Sequence, residues 1–373
     1  MSEGSLQAPT RHPIDWNNPE YFEKDSLDIE LRRVFDICHG CRRCFNLCDS
    51  FPRLFDLIDE SQTGELDSVS SSEFGYVVDA CTLCDLCFMT KCPYVPPHEF
   101  NVDFPHLMLR FRAVEKRIGQ VSRNKEQLSN TDRNGKWLGP FATLVNWSSK
   151  VGNRFTRTVI QRLIGIKKTA ELPKFYRKKF TARAKREVPT INVNAPAFGR
   201  KAVLYATCFV NYNNPQIGEA TRKVLARNGV ETEVVYPRCC GMPKLEHGDL
   251  DAVAENAQKI SGEMGFWINK GYDIIALVPS CALMLKFEWP LILPNDANVK
   301  NLSSATYDIT EYLVNIAKKE GIAEGLQPIP NGVTVHLACH ARAQNIGAKA
   351  AEMLRLLPQT DISVIERCSG HGG

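Results

Sequence analysis

Two cysteine runs near the N-terminus constrain this chain more than any other feature. Cys38, Cys41, Cys44 and Cys48 are spaced C-x2-C-x2-C-x3-C, and Cys81, Cys84, Cys87 and Cys92 open with the same rhythm and run into Pro93. In a cubane [4Fe-4S] cluster each iron takes one thiolate and three of the four come from one tight turn, so eight thiols in this order are what two [4Fe-4S] clusters require. A lone C-x2-C pair would point to zinc, but zinc takes four ligands and seldom draws three cysteines at x2 spacing. The departures are local: Asp49 follows Cys48 where proline is usual, and the second run has one extra residue in Phe88 to Lys91 before Cys92. Neither removes a ligand.

The spacing resembles that of two-cluster ferredoxins, in which the fourth cysteine of each run crosses to the other cluster. That resemblance implies one cluster on Cys38, Cys41, Cys44 and Cys92 and another on Cys81, Cys84, Cys87 and Cys48. The runs lie 33 residues apart (81 − 48) with helical patterning between them, which points to a helical module over residues 27–118 and not the short all-β type. Leu27, Leu31, Val34 and Phe35 recur at helical spacing ahead of Cys38. Phe51 to Ile58 reads as a helix, Ser61 to Ser72 as a polar connector, and Phe104 to Ile118 as a basic amphipathic helix. Residues 1–26 are a polar lead. Arg42 and Arg43 would raise the potential of the first cluster if they approached it, though a solvated pair is the favoured reading.

At 373 residues the chain has room for two or three domains. The opening MSEGSLQAPTRHPIDW lacks the apolar stretch of a secretory signal. The longest apolar run, Ile274 to Leu285, has 12 residues and contains Pro279, so no transmembrane helix is expected. Fourteen cysteines then read as reduced thiols in a cytoplasmic protein, whose membrane contact would be peripheral, on the cytoplasmic face of the inner membrane. The net charge of +4 conceals an asymmetry. Lys136 to Arg186 carries 14 Lys or Arg against Glu171 alone, a local +13, leaving 4 − 13 = −9 for the remainder. Trp137, Phe141, Trp147, Phe155, Ile160, Leu163 and Ile164 are interleaved with those charges in a connector at 119–198. Solvated surface helices account for the charge, but only an interfacial membrane segment also accounts for the tryptophans. No nucleic-acid recognition motif accompanies them, so no nucleic-acid partner is expected.

From residue 199 the pattern becomes α/β. Lys201 to Thr207, Glu231 to Tyr236 and Asp273 to Val278 read as strands ending at Cys208, at Cys239-Cys240-Gly241 and at Cys281. Helices between them run from Asn214-Pro215 to Gly229 and through Val253, Ile260, Met264 and Trp267 to Gly271. Each cysteine follows the carboxyl end of a strand, where ligands collect in an open parallel sheet. After this first domain, 199–330, a second copy starts within 331–373. Val333 to Ala338 leads to Cys339, Ile346-Gly347 matches Ile217-Gly218, and both copies count 21 residues from that glycine to the next cysteine (239 − 218 and 368 − 347). Arg367-Cys368-Ser369-Gly370 matches Arg238-Cys239-Cys240-Gly241, and the copy stops one motif in, which reads as truncation. That match explains Gly370-x-Gly372-Gly373 better than a phosphate loop does. His336 and His340 straddle a strand end and read as ordinary histidines, while His247 and His371 stand beside cysteine motifs as candidate ligands or hydrogen-bond donors.

These residues resemble the CCG-containing iron-sulfur oxidoreductases, whose relatives include dehydrogenase, glycolate oxidase and heterodisulfide reductase subunits. The resemblance implies a multidomain chain, an α-helical two-cluster ferredoxin module followed by α/β CCG domains. It also implies a redox site on Cys208, Cys239, Cys240 and Cys281, with Cys339 and Cys368 from the second copy, that could hold one further [4Fe-4S] cluster. Met284 stands where the fifth cysteine of a noncubane site would be. By the same resemblance the chain is an electron-transfer subunit between a flavoprotein dehydrogenase and a quinone or other membrane acceptor. Thiol-disulfide catalysis at the CCG site is the alternative, and a non-catalytic iron-sulfur scaffold a third.

Overall fold

A computed structural model describes residues 4, 5 and 7–367. Four strands, β1 (Lys201–Tyr205), β2 (Glu231–Val235), β3 (Asp273–Ala276) and β4 (Thr306–Asp308), form a parallel sheet in the order β2-β1-β3-β4. The first three end one or two residues before the apolar pattern does, because the chain turns towards its cysteines there. The short β4 was not legible in the sequence. β1 is interior, so its side chains alternate between two buried faces. Val203 and Tyr205 join one core with Ile274 and Ala276, and Ala202 and Leu204 join the other with Ile275.

Helices cover both faces. Leu250–Ile268 and Ala297–Ala305 pack on the first, with Val253, Ala257, Ile260, Val299 and Leu302 buried; Pro215–Arg227 and Ile309–Lys319 cover the second, through Leu225, Tyr312 and Ile316. Pro215 opens its helix, where a missing N–H costs nothing. Two further strands, β5 (Val333–His336) and β6 (Ile362–Ile365), pair in parallel as β1 and β2 do. Cys339 follows β5 by three residues (339 − 336), as Cys208 follows β1 (208 − 205).

The N-terminal module is helical, with Lys24–Cys41, Ser50–Asp59, Phe74–Asp79 and Phe104–Arg117 closing over Leu31, Phe35, Leu54, Phe74 and Met108. Its core is continuous with the first face of the sheet. The polar lead straps the two together. Thr10 N–H donates to the Pro96 carbonyl at 3.0 Å, Ile14 N–H to Leu291 at 2.9 Å and the Trp16 indole to Ile292 at 2.8 Å. No helix among the described residues is long and apolar enough to cross a membrane.

Candidate metal centres

Cys38 and Cys41 sit on the last turn of Lys24–Cys41, which Arg42 ends in a left-handed conformation (φ 53°), its N–H donating to the Cys38 carbonyl at 2.9 Å. The chain then folds back, and Cys38, Cys41, Cys44 and Cys92 line one cavity walled by Phe51, Phe55 and Val102. Cys92 reaches it because the extra residue of its run is absorbed in a π-helical turn, Cys87–Lys91, closed by the Cys92 N–H on the Cys87 carbonyl at 2.9 Å. Cys48 lies instead within electrostatic reach of Cys81 and Cys87, and of Cys44. Burial pushes the Cys44 thiol up to about 12 and the Cys81 thiol to about 11. A metal ligand must lose that proton, so binding here releases protons. Among the described residues no three His, Cys, Asp or Glu side chains converge on a single-ion site. Arg42 and Arg43 also line the cavity, and Arg42 Nη1 donates to Asp59 Oδ2 at 2.8 Å.

The second run is pinned from outside. Asp85, between Cys84 and Cys87, is buried and accepts from Arg11 at 2.8 Å; Arg11 also donates to Asp103 at 2.8 Å and Glu288 at 3.3 Å. His106 stands 3.3 Å from both Asp103 and Glu288. One guanidinium from the lead therefore ties the second run to the last helix of the module and to the sheet domain. Arg112 ties it a second time, donating to the Val78 carbonyl at 2.7 Å, to Cys81 and to Glu246 at 3.1 Å. His247 shares a polar cavity with Cys81, and burial lowers its pKa.

At the sheet, β1 lies between β2 and β3, so their carboxyl ends bring Cys208, Cys239, Cys240 and Cys281 together at the switch point of the strand order. The Sγ atoms of Cys208 and Cys239 are 3.7 Å apart, and those of Cys240 and Cys281 are 3.3 Å apart. Gly241 takes φ 92°, which a side chain would strain, and this turn keeps both thiols inward. The loop is held by the Tyr205 hydroxyl on the Arg238 carbonyl at 2.7 Å and the Trp289 indole on the Cys240 carbonyl at 3.1 Å. Hydrogen bonds from the Cys208 and Cys240 thiols, helped by Thr131 and by the Gly241 N–H, outweigh burial and hold the Cys239 thiol well below its ordinary value. Met284 is fully buried in the fifth-cysteine position. Cys339 is carried elsewhere. Its helix, Cys339–Ala343, packs on Pro279–Leu283, with His340 Nδ1 2.8 Å from Ser280 Oγ, and its thiol bonds Cys84 of the second run. Cys368, Ser369, His371 and the terminal glycines lie outside the described residues.

Sequence reasoning missed Thr131, Asp132 and Tyr236. Helix Thr131–Leu138 belongs to the basic connector, yet Asp132 accepts the Cys239 N–H at 2.8 Å and bonds the Tyr236 hydroxyl. The one signal was Gly135, where a Cβ would stand 2.4 Å from the Tyr212 ring. The rest of the connector divides. Phe180 is buried in the second core, whereas Trp137, Phe141, Leu144, Trp147, Phe155 and Leu163 are exposed, Phe155 by 80%. In helix Arg154–Ile164, Phe155, Val159 and Leu163 share one face. Arg157, fully buried, anchors the helix to the carbonyls of Lys167, Lys168 and Ala170 at 2.7, 3.1 and 2.6 Å.

Residues 202–286 match the CCG cysteine-rich domain family. Over 252 residues it is 28% identical to an anaerobic glycerol-3-phosphate dehydrogenase subunit of Escherichia coli, an alignment covering 66% of this chain and 61% of that one. It is 28% identical over 182 residues to lactate utilization protein A of Geobacillus thermodenitrificans, covering 46% of this chain and 73% of the relative. The Bacillus cereus protein of the same name is 29% identical over 183 residues, with the same coverage. The chain thus spans 61% of the length of the dehydrogenase subunit it matches. No solved structure matches it.

Proposed function

We propose that this chain is an iron-sulfur electron-transfer subunit, taking electrons from a flavoprotein dehydrogenase through two [4Fe-4S] clusters and the CCG thiols to a quinone or similar acceptor. The observation that carries the reading is the gathering of Cys92 with Cys38, Cys41 and Cys44 round one apolar-walled cavity while Cys48 faces the other run. Crossed fourth ligands are the arrangement that two adjoining clusters use. Bound there, such clusters supply one-electron transfer. The chain contributes eight thiols, the aromatic walls of Phe51 and Phe55, and the Arg11 and Arg112 ties that fix the second run against the sheet domain. Cys208, Cys239, Cys240 and Cys281 form a four-thiol set for one further cluster. The relative's name, a subunit of a dehydrogenase, favours substrate oxidation on a partner chain. The exposed aromatic face among the connector's cations supports peripheral attachment to an anionic membrane.

The test is anaerobic copurification with a tagged chain, followed by addition of the partner's substrate. Bleaching of iron-sulfur absorbance with matching EPR signals is expected; a copurifying flavoprotein whose substrate leaves the clusters oxidised would sink the reading. The 3.3 Å approach of Cys240 and Cys281 supports a second reading, thiol-disulfide chemistry at the CCG site. Trapping with an alkylating agent separates the two, since only that chemistry makes a cycling thiol pair label in turnover.

A further inference from the structure

A cavity of about 550 Å³, within the range of small-molecule sites, opens beside the CCG thiols. Cys239 and Gly241 form its floor, and helices Thr131–Leu138 and Leu250–Ile268 form its walls. The first of these helices is fixed to the floor at one end, through Asp132 and the Cys239 N–H at 2.8 Å. At its other end Trp137 both lines the cavity and is 69% exposed. The five-residue step from Asp132 to Trp137 spans about 8 Å of helix. The cavity therefore bridges the thiols and the aromatic surface.

Its lining sets the chemistry of the occupant. Asp132 is taken by the Cys239 N–H and Tyr236, and Glu255 by Arg238 at 2.8 Å. Lys136 and Lys259, also in the wall, have no carboxylate partner among the described residues. A fitting ligand has acceptor oxygens that take on negative charge, a flat ring for the Trp137 face opposite Arg133, whose guanidinium stands 5.7 Å from the ring centroid, and an apolar extension that leaves past the exposed Trp137. A hydrophilic anion lacks the last two. We propose that the cavity binds the ring of a quinone, with Lys136 and Lys259 donating to its carbonyl oxygens and Trp137 against its face. The proposal rests on the electron-transfer reading and names the acceptor's place in it. Reduction there takes two electrons, delivered singly from iron-sulfur donors that are thereby oxidised, and two protons from water in the open cavity. It leaves the quinol, with no bond formed to the protein.

The test reads binding without turnover. Anaerobically purified, cluster-loaded chain, free of vesicles, is titrated with a tail-less naphthoquinone methylated at both reactive ring carbons so that thiols cannot add to it. Saturable quenching of tryptophan fluorescence is expected, with its largest component lost in Trp137→Leu. The Lys136→Ala, Lys259→Ala double variant is expected to weaken affinity about tenfold, the ~1.4 kcal/mol of a charge-assisted hydrogen bond. Circular dichroism and cluster absorbance verify that both variants fold. Unchanged affinity in the double variant, or unchanged quenching in Trp137→Leu, overturns the proposal. So does a double variant that loses only its binding to anionic phosphatidylglycerol vesicles, because the cations then serve lipid headgroups. If ferricyanide cannot reoxidise the reduced wild-type clusters, the electron-transfer reading falls and takes this site with it. That outcome is read in a separate assay from quinone binding.

Discussion

The two cysteine-bearing regions gather their thiols by different means. In the N-terminal module, short turns place them: a helix end at Cys38 and Cys41, a left-handed stop at Arg42, and a π turn that delivers Cys92. In the CCG domain the thiols span 73 residues (281 − 208) and a parallel sheet places them, at the ends of adjacent strands. Their surroundings differ as well. The Cys92 cavity is walled by Phe51, Phe55 and Val102 with Arg42 and Arg43 beside them, whereas Cys239 borders a cavity lined mostly by polar side chains, among them Lys136, Lys244, Lys259 and Asn256. Cys38, Cys41, Cys44 and Cys92 are themselves part-exposed, while Cys239, Cys240 and Cys281 are buried. The lesson is that local spacing gathers one set of thiols while sheet topology gathers the other.

The sharpest way to break this comparison is to exchange fourth ligands. Cys48→Ala is expected to abolish the EPR signature of the cluster on the second run and Cys92→Ala that on the first, each removing roughly half of the cubane iron. Loss of a run's own cluster instead would refute the crossing. Next in size, Cys239→Ser is expected to cut electron passage to the acceptor at least about a hundredfold, a little under 3 kcal/mol of barrier, while both cubanes remain reducible. Stopped-flow reoxidation measures it, and a wild-type rate would remove the CCG thiols from the path.

Arg11 tests whether the two regions are locked together. Arg11→Gln leaves the buried Asp85, Asp103 and Glu288 short of their cation and is expected to cost about 3–5 kcal/mol in chemical denaturation. The same group gives a pH dependence. Burial alone would raise Asp103, but His106 and Arg11 outweigh it and hold the group at about 2 against an ordinary 3.8. Burial likewise opposes Glu288, and a His106 hydrogen bond with Arg11 brings it to about 2 against 4.5. Both folded values lie below the unfolded ones, so the share of Asp103 and Glu288 is complete above about pH 5 and lost as pH falls towards about 2, while burial moves Asp85 of the same group the other way, upward. The denaturation difference between wild type and Arg11→Gln is therefore expected to be flat near neutrality and to narrow below about pH 4. A difference that grows in acid would contradict the assignment. The smallest effect is at the surface. Phe155→Ser is expected to weaken binding to anionic vesicles about tenfold, from the loss of one inserted aromatic side chain. Wild-type affinity would detach this patch from the membrane.

Much of this architecture was legible because its determinants are short-range. The eight-cysteine rhythm, the helix through Leu27, Leu31, Val34 and Phe35, and the strand before each CCG cysteine all depend on neighbours in sequence. What stayed hidden depends on distant partners. Nothing local to Arg11 announces that it meets Asp85, Asp103 and Glu288, residues 74, 92 and 277 positions away. Asp132 and Thr131 look like polar members of a basic connector until the fold sets their helix on Cys239. Cys339 repeats Cys208 in pattern but lies against Cys84, because helix Cys339–Ala343 docks on Pro279–Leu283 and not on a sheet partner of its own.

The central claim, that the N-terminal thiols hold two cubane clusters with crossed ligands, is tested most directly by iron, sulfide and zinc analysis of the anaerobically purified chain, with EPR after reduction. The expected result is at least about eight iron and eight sulfide per chain, with two interacting cubane spectra, since each cluster carries four of each. Zinc in place of iron, with sulfide near zero, would contradict it.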